Sequence, residues 1–277
     1  MTTPIMHPSS HAQLTLMLRD LPGAVLLTGE TGVGLATIAA YIADQMNAPM
    51  ITVLPEKDER VDIDKGTIGV DSIRRLYDQT RSKQTGHLVV LVDYAERMGV
   101  QAQNAFLKLL EEPREGIHFI LATHAPDSLL PTVHSRAQQI VIQPITRSQT
   151  ETLLNSLGIT AATKRTQLLY MADGLPAELT RLVGHSDYFD ARSQIVRDAR
   201  EFLSGNTYAR LRVAHRYSDS RDNALLLLSD SLNILKRTIQ QKPDTTHLGQ
   251  IDALLDCYKQ IKANGHIKLN LARFVVQ

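Results

Sequence analysis

The chain has 277 residues, more than one typical hydrophobic core contains, so we expect two or three domains. Its formal net charge of +1 argues against broad electrostatic binding of nucleic acid, and a single cysteine excludes a disulfide framework and a cysteine zinc site. The N-terminus has no signal pattern and no apolar run approaches the ~20 residues that span a bilayer, so we expect a cytoplasmic protein that does not enter a membrane. For Cys257 we expect a small buried apolar residue rather than a reactive thiol.

The first half of the chain alternates short apolar runs with helical patterns. Strands are predicted for five apolar runs, at residues 25–28, 50–54, 88–92, 117–122 and 139–142. Helical spacing of apolar residues predicts helices at residues 36–46, 70–81 and 101–112. Residues 55–69 are charged and rich in turn formers, which indicates a loop or a small excursion. Because strands that alternate with helices pair in parallel, the sequence predicts an α/β domain over residues 1–145.

After Pro144 the strand signals end and helical patterns continue. Helices are predicted at residues 149–157, 164–172, 177–183, 191–203, 208–217, 222–240 and 247–265. Pro176 suits the first turn of the third of these helices. The sequence therefore predicts a small helical domain over residues 146–186 and a helical C-terminal domain over residues 187–277.

The segment after the first predicted strand has the glycine layout of a phosphate-binding loop. Three glycines could turn backbone N–H groups toward a phosphate: Gly29, Gly32 and Gly34. The motif G-x-x-x-x-G-K-[ST] requires a lysine and a hydroxyl, but these positions hold Leu35 and Ala36. Thr37 follows one position late, about 100° further round a helix. A relic loop that no longer turns over nucleotide is favoured over an active ATPase with shifted residues, and weak binding of ATP or ADP through the backbone stays open.

Two further strand ends carry residues that a nucleotide site would use. Asp93 follows the strand at 88–92, where a carboxylate could bind Mg²⁺ at the C-terminal edge of the sheet; the alternative is an ordinary strand-end residue. Tyr94 comes next, and its hydroxyl, with a usual pKa near ~10, cannot act as a carboxylate base. Thr123 ends the strand at 117–122, where threonine is also common for structural reasons.

Two segments carry a resemblance to a known family. Residues 104–113 read NAFLKLLEEP and residues 130–136 read LPTVHSR, with predicted buried strands before and between them. Together they resemble the clamp-loader AAA+ ATPases of DNA replication, most of all the delta-prime subunits of bacterial DNA polymerase III. The resemblance is strong from about residue 68 to residue 144 and extends more weakly over nearly the whole chain.

This resemblance implies an AAA+ P-loop NTPase-like domain, then a small helical lid and an all-helical collar through which subunits oligomerise. Leu35 and Tyr94 occupy the places of the lysine and glutamate of active members, and Thr123 matches the sensor-1 position. The start of the lid helix has no arginine at the sensor-2 position, and Arg181 lies a turn later, so sensor 2 is not assigned. The family's cysteine-rich zinc module is missing from residues 47–71. The implied protein does not hydrolyse ATP itself and requires no metal or other cofactor.

The resemblance also implies a role for Arg136. Ser135 and Arg136 resemble the family's SRC motif, with Ala137 in the place of the cysteine, and the implied role is an arginine finger that reaches the γ-phosphate of ATP on a neighbouring subunit. A guanidinium suits this role because it is always charged and binds phosphate oxygens in a planar fork. The alternative is a surface arginine in a salt bridge.

The implied partners are the ATPase motor and delta-like subunits of the loader, and through the complex the sliding clamp and primed DNA. The helix that carries LLEEP faces a neighbour in that family; alternatively Lys108, Glu111 and Glu112 pair along one solvated helix face. Two other functions stay open. One is an ATP-hydrolysing motor subunit or other AAA+ ATPase, against which Leu35 and Tyr94 argue, and the other is an AAA+ adaptor outside replication.

Overall fold

The computed structural model describes residues 3–80, 86–111, 113–241 and 245–276. The chain divides into two compact units, Met1–Val183 and Gly184–Gln277. In chain order the strands are β1 (Ala24–Gly29), β2 (Met50–Val53), β3 (Glu56–Lys57), β4 (Arg60–Val61), β5 (Leu88–Val92), β6 (Ile117–Thr123) and β7 (Gln138–Ile142). All of them lie in the first unit.

The helices alternate with these strands and then continue alone. Helices α1 to α8 are Pro8–Met17, Leu35–Gln45, Val70–Thr80, Val100–Glu111, Pro131–His134, Arg147–Ser156, Ala162–Ala172 and Pro176–Gly184, the last of which reaches the boundary between the units. Helices α9 to α13 are Ser186–Ser204, Thr207–Arg216, Arg221–Gln241, Thr245–Lys262 and Ile267–Val276. The boundaries at 145 and 186 between the three expected domains stay predictions, because the compact units separate at a single place.

Five of the strands form one parallel sheet in the order β2-β5-β6-β1-β7. Every residue of β5 and β6 is buried. These two strands read as unbroken apolar runs because helices cover both faces of a parallel sheet. The predicted parallel α/β fold is therefore confirmed, as are the five strands that the apolar runs indicated.

Hydrophobic side chains form a separate core on each face of the sheet. On one face α1 and α2 contribute Leu14, Ile38 and Ile42 to a cluster with alternate side chains of β1. On the other face α3 and α4 contribute Leu76 and Phe106. The Phe106 ring meets the Phe119 ring of β6 edge-on, with 5.5 Å between the ring centres, so α4 is fixed against the middle of the sheet.

Helix α1 and the charged segment after β2 add detail to what was expected of the first unit. Helix α1 was not predicted, because it buries only Leu14 and Met17 with one polar residue, Ser10, and so has a weak apolar pattern. The Ser10 hydroxyl donates to the carbonyl of Val141 at 3.2 Å and joins the helix to β7. The charged excursion after β2 is a small antiparallel hairpin, β3 with β4.

The second unit contains helices α9 to α13 around their own hydrophobic core, and it also buries the charged side chains of Arg192 and Asp198. Asp198 is 2 % exposed, and its carboxylate accepts hydrogen bonds from Arg216, from the Tyr217 hydroxyl and from the Gln194 amide. Such a buried carboxylate is tolerated because several donors satisfy its oxygens. The predicted all-helical C-terminal part is confirmed.

Cys257 lies in the core of the second unit, as expected. Burial raises the pKa of its thiol to about 11, so the group stays protonated and unreactive at neutral pH. Within the described part of the chain, no helix combines the length and the apolar character that crossing a bilayer requires.

Candidate nucleotide cavity and arginine turn

The glycine loop (residues 29–34) joins β1 to α2 and has the backbone of a phosphate-binding loop. Gly32 and Gly34 have φ angles of +93° and +94°, a region that side chains with a Cβ disfavour. Gly29 is constrained differently, since a Cβ there would lie 2.7 Å from the carbonyl oxygen of Ile142. The glycine layout recognised in the sequence is therefore required by the fold of this loop.

The first turn of α8 is hydrogen-bonded to this loop. The carbonyl oxygen of Gly32 accepts from the backbone N–H groups of Ala177 at 2.9 Å and of Glu178 at 3.2 Å. A Cβ on Gly32 would lie 2.9 Å from the Cβ of Glu178. The contact satisfies N–H groups that have no partner within the helix and brings the lid helix onto the loop.

A cavity of about 230 Å³ lies between the glycine loop, the end of β5 and α8. Ligand pockets commonly measure ~300–1,000 Å³, so this cavity is smaller than the usual range. Its lining contains the following residues: Thr31, Gly32, Gly34, Leu35, Ala36, Thr37, Asp93, Tyr94, His124, Ala177, Glu178 and Arg181. Four of the predicted site residues, Gly32, Gly34, Thr37 and Asp93, thus meet at one place.

The position of the motif's lysine is occupied by a core residue. Leu35 is only 2 % exposed and packs in the cluster on the α1 and α2 face of the sheet, although it also borders the cavity. Ala36 provides no hydroxyl. Thr37, one position after the hydroxyl of the motif, still lines the cavity from the first turn of α2.

Asp93 and Tyr94 follow β5 and face the cavity. The Asp93 carboxylate accepts a hydrogen bond from the backbone N–H of Tyr94 at 3.0 Å. Burial raises the pKa of Asp93 and outweighs this hydrogen bond and the nearby His124, which both lower it. Burial, with the negative charges of Asp93 and Glu96, also raises the pKa of the Tyr94 hydroxyl. Tyr94 therefore stays protonated at neutral pH and offers no general base.

Thr123, Gly29 and His124 have structural contacts near the cavity. Thr123 is fully buried, and its hydroxyl oxygen accepts a hydrogen bond from the backbone N–H of Ala125 at 3.1 Å. The His124 Nδ1 lies 2.8 Å from the carbonyl oxygen of Gly29, so this nitrogen carries the proton and donates. Thr123 and Gly29 are both predicted site residues, but neither belongs to the cavity lining.

Arg181 was not assigned to the site from the sequence, but in the structure it lines the cavity. On α8 it comes one turn after Ala177 and Glu178, which also line the cavity. Its positive charge lowers the pKa of Tyr94 and so acts at close range. The signal that could have identified it is the i, i+4 spacing from Ala177, which puts both residues on one helix face.

Arg136 lies directly after the short helix α5, in the turn formed with Ser135, which we call the SR turn. Its Nη1 donates to the carbonyl oxygen of Thr132 at 3.1 Å and to the Ser135 hydroxyl at 3.3 Å. Its Nη2 lies 3.0 Å from a carboxylate oxygen of Glu111 at the end of α4. The Arg136 side chain is 35 % exposed and reachable from solvent. Pairing of Glu111 along its own helix was one alternative left open by the sequence, whereas the structure pairs Glu111 with Arg136; Glu112 lies outside the described residues.

A buried glutamine joins α4 to the segment before the SR turn. Gln103 is 2 % exposed. Its amide donates to the carbonyl oxygens of Met98 at 3.0 Å and Ser128 at 3.2 Å, and its side-chain oxygen accepts from the backbone N–H of Leu130 at 2.7 Å. With these three bonds the side chain is satisfied and the two segments are held together.

Among the described residues, no group of three or more His, Cys, Asp or Glu side chains stands close enough to hold an ion.

A family model described as "DNA polymerase III, delta subunit" matches residues 47–146. The DNA polymerase III subunit delta' of Pseudomonas aeruginosa is 35% identical over 139 residues, which are 49% of this chain and 42% of that protein. The subunit delta' of Haemophilus influenzae is 41% identical over 86 residues, 30% of this chain and 26% of that protein. The subunit tau of Bacillus subtilis is 30% identical over 157 residues, 50% of this chain and 28% of that protein. The chain thus spans less than half the length of these relatives.

Solved structures show the same fold at low sequence identity. A DNA polymerase III gamma subunit-related protein from Thermotoga maritima has a TM-score of 0.55 and 19% identity, covering 96% of this chain and 97% of its own. A RuvB variant from the same organism has a TM-score of 0.53 and 15% identity, covering 94% and 86%. The predicted AAA+ fold is confirmed. The resemblance to the delta-prime subunits of DNA polymerase III is confirmed as well, through the matches to residues 47–146 and to the curated relatives.

Proposed function

We propose that this chain is a delta-prime-like subunit of a DNA polymerase III clamp loader, which does not hydrolyse ATP and supplies Arg136 to ATP bound by a neighbouring subunit. The observation that carries the proposal is the buried Leu35 at the lysine position of an otherwise complete glycine loop. A site with a phosphate-binding backbone and no phosphate-binding lysine can keep its shape without supporting hydrolysis. The proposed partners are the motor and delta-like subunits, and through the complex the sliding clamp and primed DNA.

The chemistry of the cavity supports the absence of hydrolysis. A water that attacks a γ-phosphate needs an oriented base, and the place of the base holds Tyr94, whose pKa is raised. Burial raises the pKa of Asp93, which means that the cavity disfavours the ionised carboxylate that Mg²⁺ binds. Glu178 adds a negative charge to the lining, which disfavours a phosphate there, whereas the positive charge of Arg181 favours one. We accordingly propose no required cofactor, with at most weak binding of ATP or ADP through the backbone of the glycine loop.

The geometry of the SR turn supports an action on a neighbour. Arg136 is exposed at the end of a four-residue helix, and its guanidinium has five N–H donors, of which the contacts within the chain use only some. In other phosphoryl-transfer systems an arginine supplied by a partner is worth on the order of 10³–10⁵ in rate. Because such an arginine acts on charge that develops in the transition state, it should affect kcat more than substrate binding.

The test uses the complex that co-purifies with the chain, with sliding clamp and primed DNA added, and measures steady-state phosphate release and clamp loading. Arg136→Ala should assemble normally and lower the DNA-stimulated ATPase by about tenfold or more. Arg136→Lys should restore little, since an ammonium lacks the planar fork. Arg147→Ala is the matched control, because Arg147 is also exposed and paired with a carboxylate, Glu151, at 3.3 Å. Full activity of the Arg136→Ala complex would exclude the proposed action on a neighbour.

A motor subunit that hydrolyses ATP is the second candidate, favoured by one observation. Arg181 reaches the cavity where a lid arginine would contact a nucleotide, and relatives at 30% identity include tau and gamma/tau subunits. The isolated chain with Mg·ATP separates the two candidates. Our proposal expects no phosphate release above background, whereas turnover of about 1 s⁻¹ or faster that disappears in Asp93→Ala would establish the motor.

A further inference from the structure

The Arg136 guanidinium does not stand alone at the surface but is held from two sides. Nη1 donates hydrogen bonds to the carbonyl oxygen of Thr132 in α5 and to the hydroxyl of Ser135 in the SR turn, and the Glu111 carboxylate approaches Nη2 at 3.0 Å. The described contacts leave N–H donors of the guanidinium for a ligand. Arg136 can therefore keep Glu111 as a neighbour while it binds phosphate oxygens.

We propose that Glu111 is a positioning residue for Arg136, a role that rests on the proposed action of Arg136 on ATP of a neighbouring subunit. An exposed arginine side chain has many rotamers. An arginine that acts across an interface can stabilise the phosphate only in the few rotamers that direct two N–H donors at it. The carboxylate of Glu111 selects among these rotamers before the subunits meet. In this arrangement Glu111 touches neither the nucleotide nor the attacking water.

Buried contacts hold the two segments that carry Glu111 and Arg136, so that one side chain can orient the other. Gln103 bonds α4 to Ser128 and Leu130, directly before the helix that ends in the SR turn. Phe106 packs α4 on the sheet. Glu111 and Arg136 thus project from two segments whose relative position is fixed by buried contacts, which distinguishes this pair from a salt bridge between mobile surface elements.

The opposite role, a carboxylate that competes with the phosphate, fits the geometry less well. The Glu111 side chain is 50 % exposed, so water screens its charge and weakens its hold on the guanidinium. The incoming phosphate carries more charge and can share the guanidinium.

The experiment measures kcat and KM for ATP in the reconstituted complex with clamp and primed DNA. Glu111→Ala should lower kcat about threefold to tenfold with little change in KM, since a misdirected finger loses transition-state stabilisation. Glu111→Gln keeps an oxygen at the same reach and should recover most of the activity. In the Arg136→Ala background Glu111→Ala should have no further effect, because residues that act as one unit are not additive. Glu151→Ala, which removes the partner of Arg147 in a comparable exposed pair, is the control and should change nothing.

Each outcome decides between the roles. If Arg136→Ala lowers the activity and Glu111→Ala does not, the positioning role alone is wrong and the proposed function stands. A higher activity of Glu111→Ala would show that the carboxylate competes with phosphate and would overturn the positioning role. Equal losses from Glu111→Ala with and without Arg136 would mean that Glu111 acts elsewhere. If Arg136→Ala leaves the complex fully active, the proposed function fails, and with it the role of Glu111.

Discussion

The nucleotide cavity and the SR turn lie in the same unit but differ in what their functional side chains contact. In the cavity the fold itself uses the key groups: Leu35 packs in the core, Thr123 is buried and Gly32 is bonded to the lid helix. At the SR turn the chain uses Arg136 only partly and leaves it accessible. The difference is what our proposal requires, namely a cavity whose residues serve the fold and an arginine that remains available to a neighbouring subunit.

The difference also changes how the glycine loop is interpreted. Gly29 and Gly32 are required by close contacts with Ile142 and Glu178, whatever the loop binds. A glycine pattern is therefore evidence for the conformation of the loop. Binding of a nucleotide requires charged side chains in addition, such as the lysine of the motif. Arg136 differs in that its side chain is partly exposed and contacts only residues at the surface, namely Thr132, Ser135 and Glu111, among the hydrogen bonds and ion pairs described.

The largest expected effect comes from restoring the motif lysine. Leu35→Lys removes a buried apolar side chain and brings an ammonium toward the core, so the free energy of unfolding should fall by about 3 kcal/mol. Leu35→Met keeps the volume and should cost less than about 1.5 kcal/mol. Urea denaturation of both variants tests this, and phosphate release should stay at background because Tyr94 remains. A Leu35→Lys protein of unchanged stability that hydrolyses ATP would show that the cavity is functional. The proposed difference between the cavity and the SR turn would then be wrong.

The second expected effect concerns the lid contact. Gly32→Ala and Gly34→Ala both force alanine into the left-handed region, which costs ~1–2 kcal/mol. Only at Gly32 would the new Cβ also meet Glu178, at 2.9 Å, whereas at Gly34 the nearest atoms are at 3.7 Å or more. Gly32→Ala should therefore be the less stable variant by about 1 kcal/mol. Equal melting temperatures for the two variants would mean that the lid helix does not rest on the loop in solution.

A smaller effect should appear in the pH dependence of stability. Because burial raises the pKa of Asp93 in the folded protein, the native state prefers the protonated acid. At a pH above the pKa of Asp93 in the folded protein, the ionised carboxylate therefore lowers the free energy of unfolding. This loss of stability disappears below the pKa of an ordinary aspartate, about 4, because the group is then protonated in both states. Asp93→Asn should raise the melting temperature at pH 7, with a gain that shrinks as the pH falls toward 4. Asp127→Asn, at an exposed position, is the control; an equal gain from both variants, or one independent of pH, would contradict the assignment.

The parts that the sequence predicted and the parts that it did not have different physical origins. Strands β5 and β6 were predictable because both faces are buried and every residue is apolar apart from His118 and Thr123. The contact between Glu111 and Arg136 was not predictable, since it depends on how the end of α4 meets the SR turn. Arg181 was missed although its i, i+4 spacing from Ala177 was a usable signal. The arginine turn itself was recognisable, because its resemblance lies in consecutive residues.

The smallest expected effect is on the stability of the Arg136→Ala protein, and it separates the two regions most directly. The variant removes an exposed side chain and one partly exposed ion pair, and such changes usually alter stability by about 0.5 kcal/mol or less. Urea denaturation should thus give the same midpoint for Arg136→Ala, Arg147→Ala and the unaltered chain, while only Arg136→Ala lowers the ATPase of the complex. A loss of more than about 1.5 kcal/mol in Arg136→Ala alone would place Arg136 among the residues that hold the fold, like Leu35 in the cavity. The reduced activity of the complex would then have to be ascribed to a damaged subunit, and the contrast between a structural cavity and a functional turn would no longer hold.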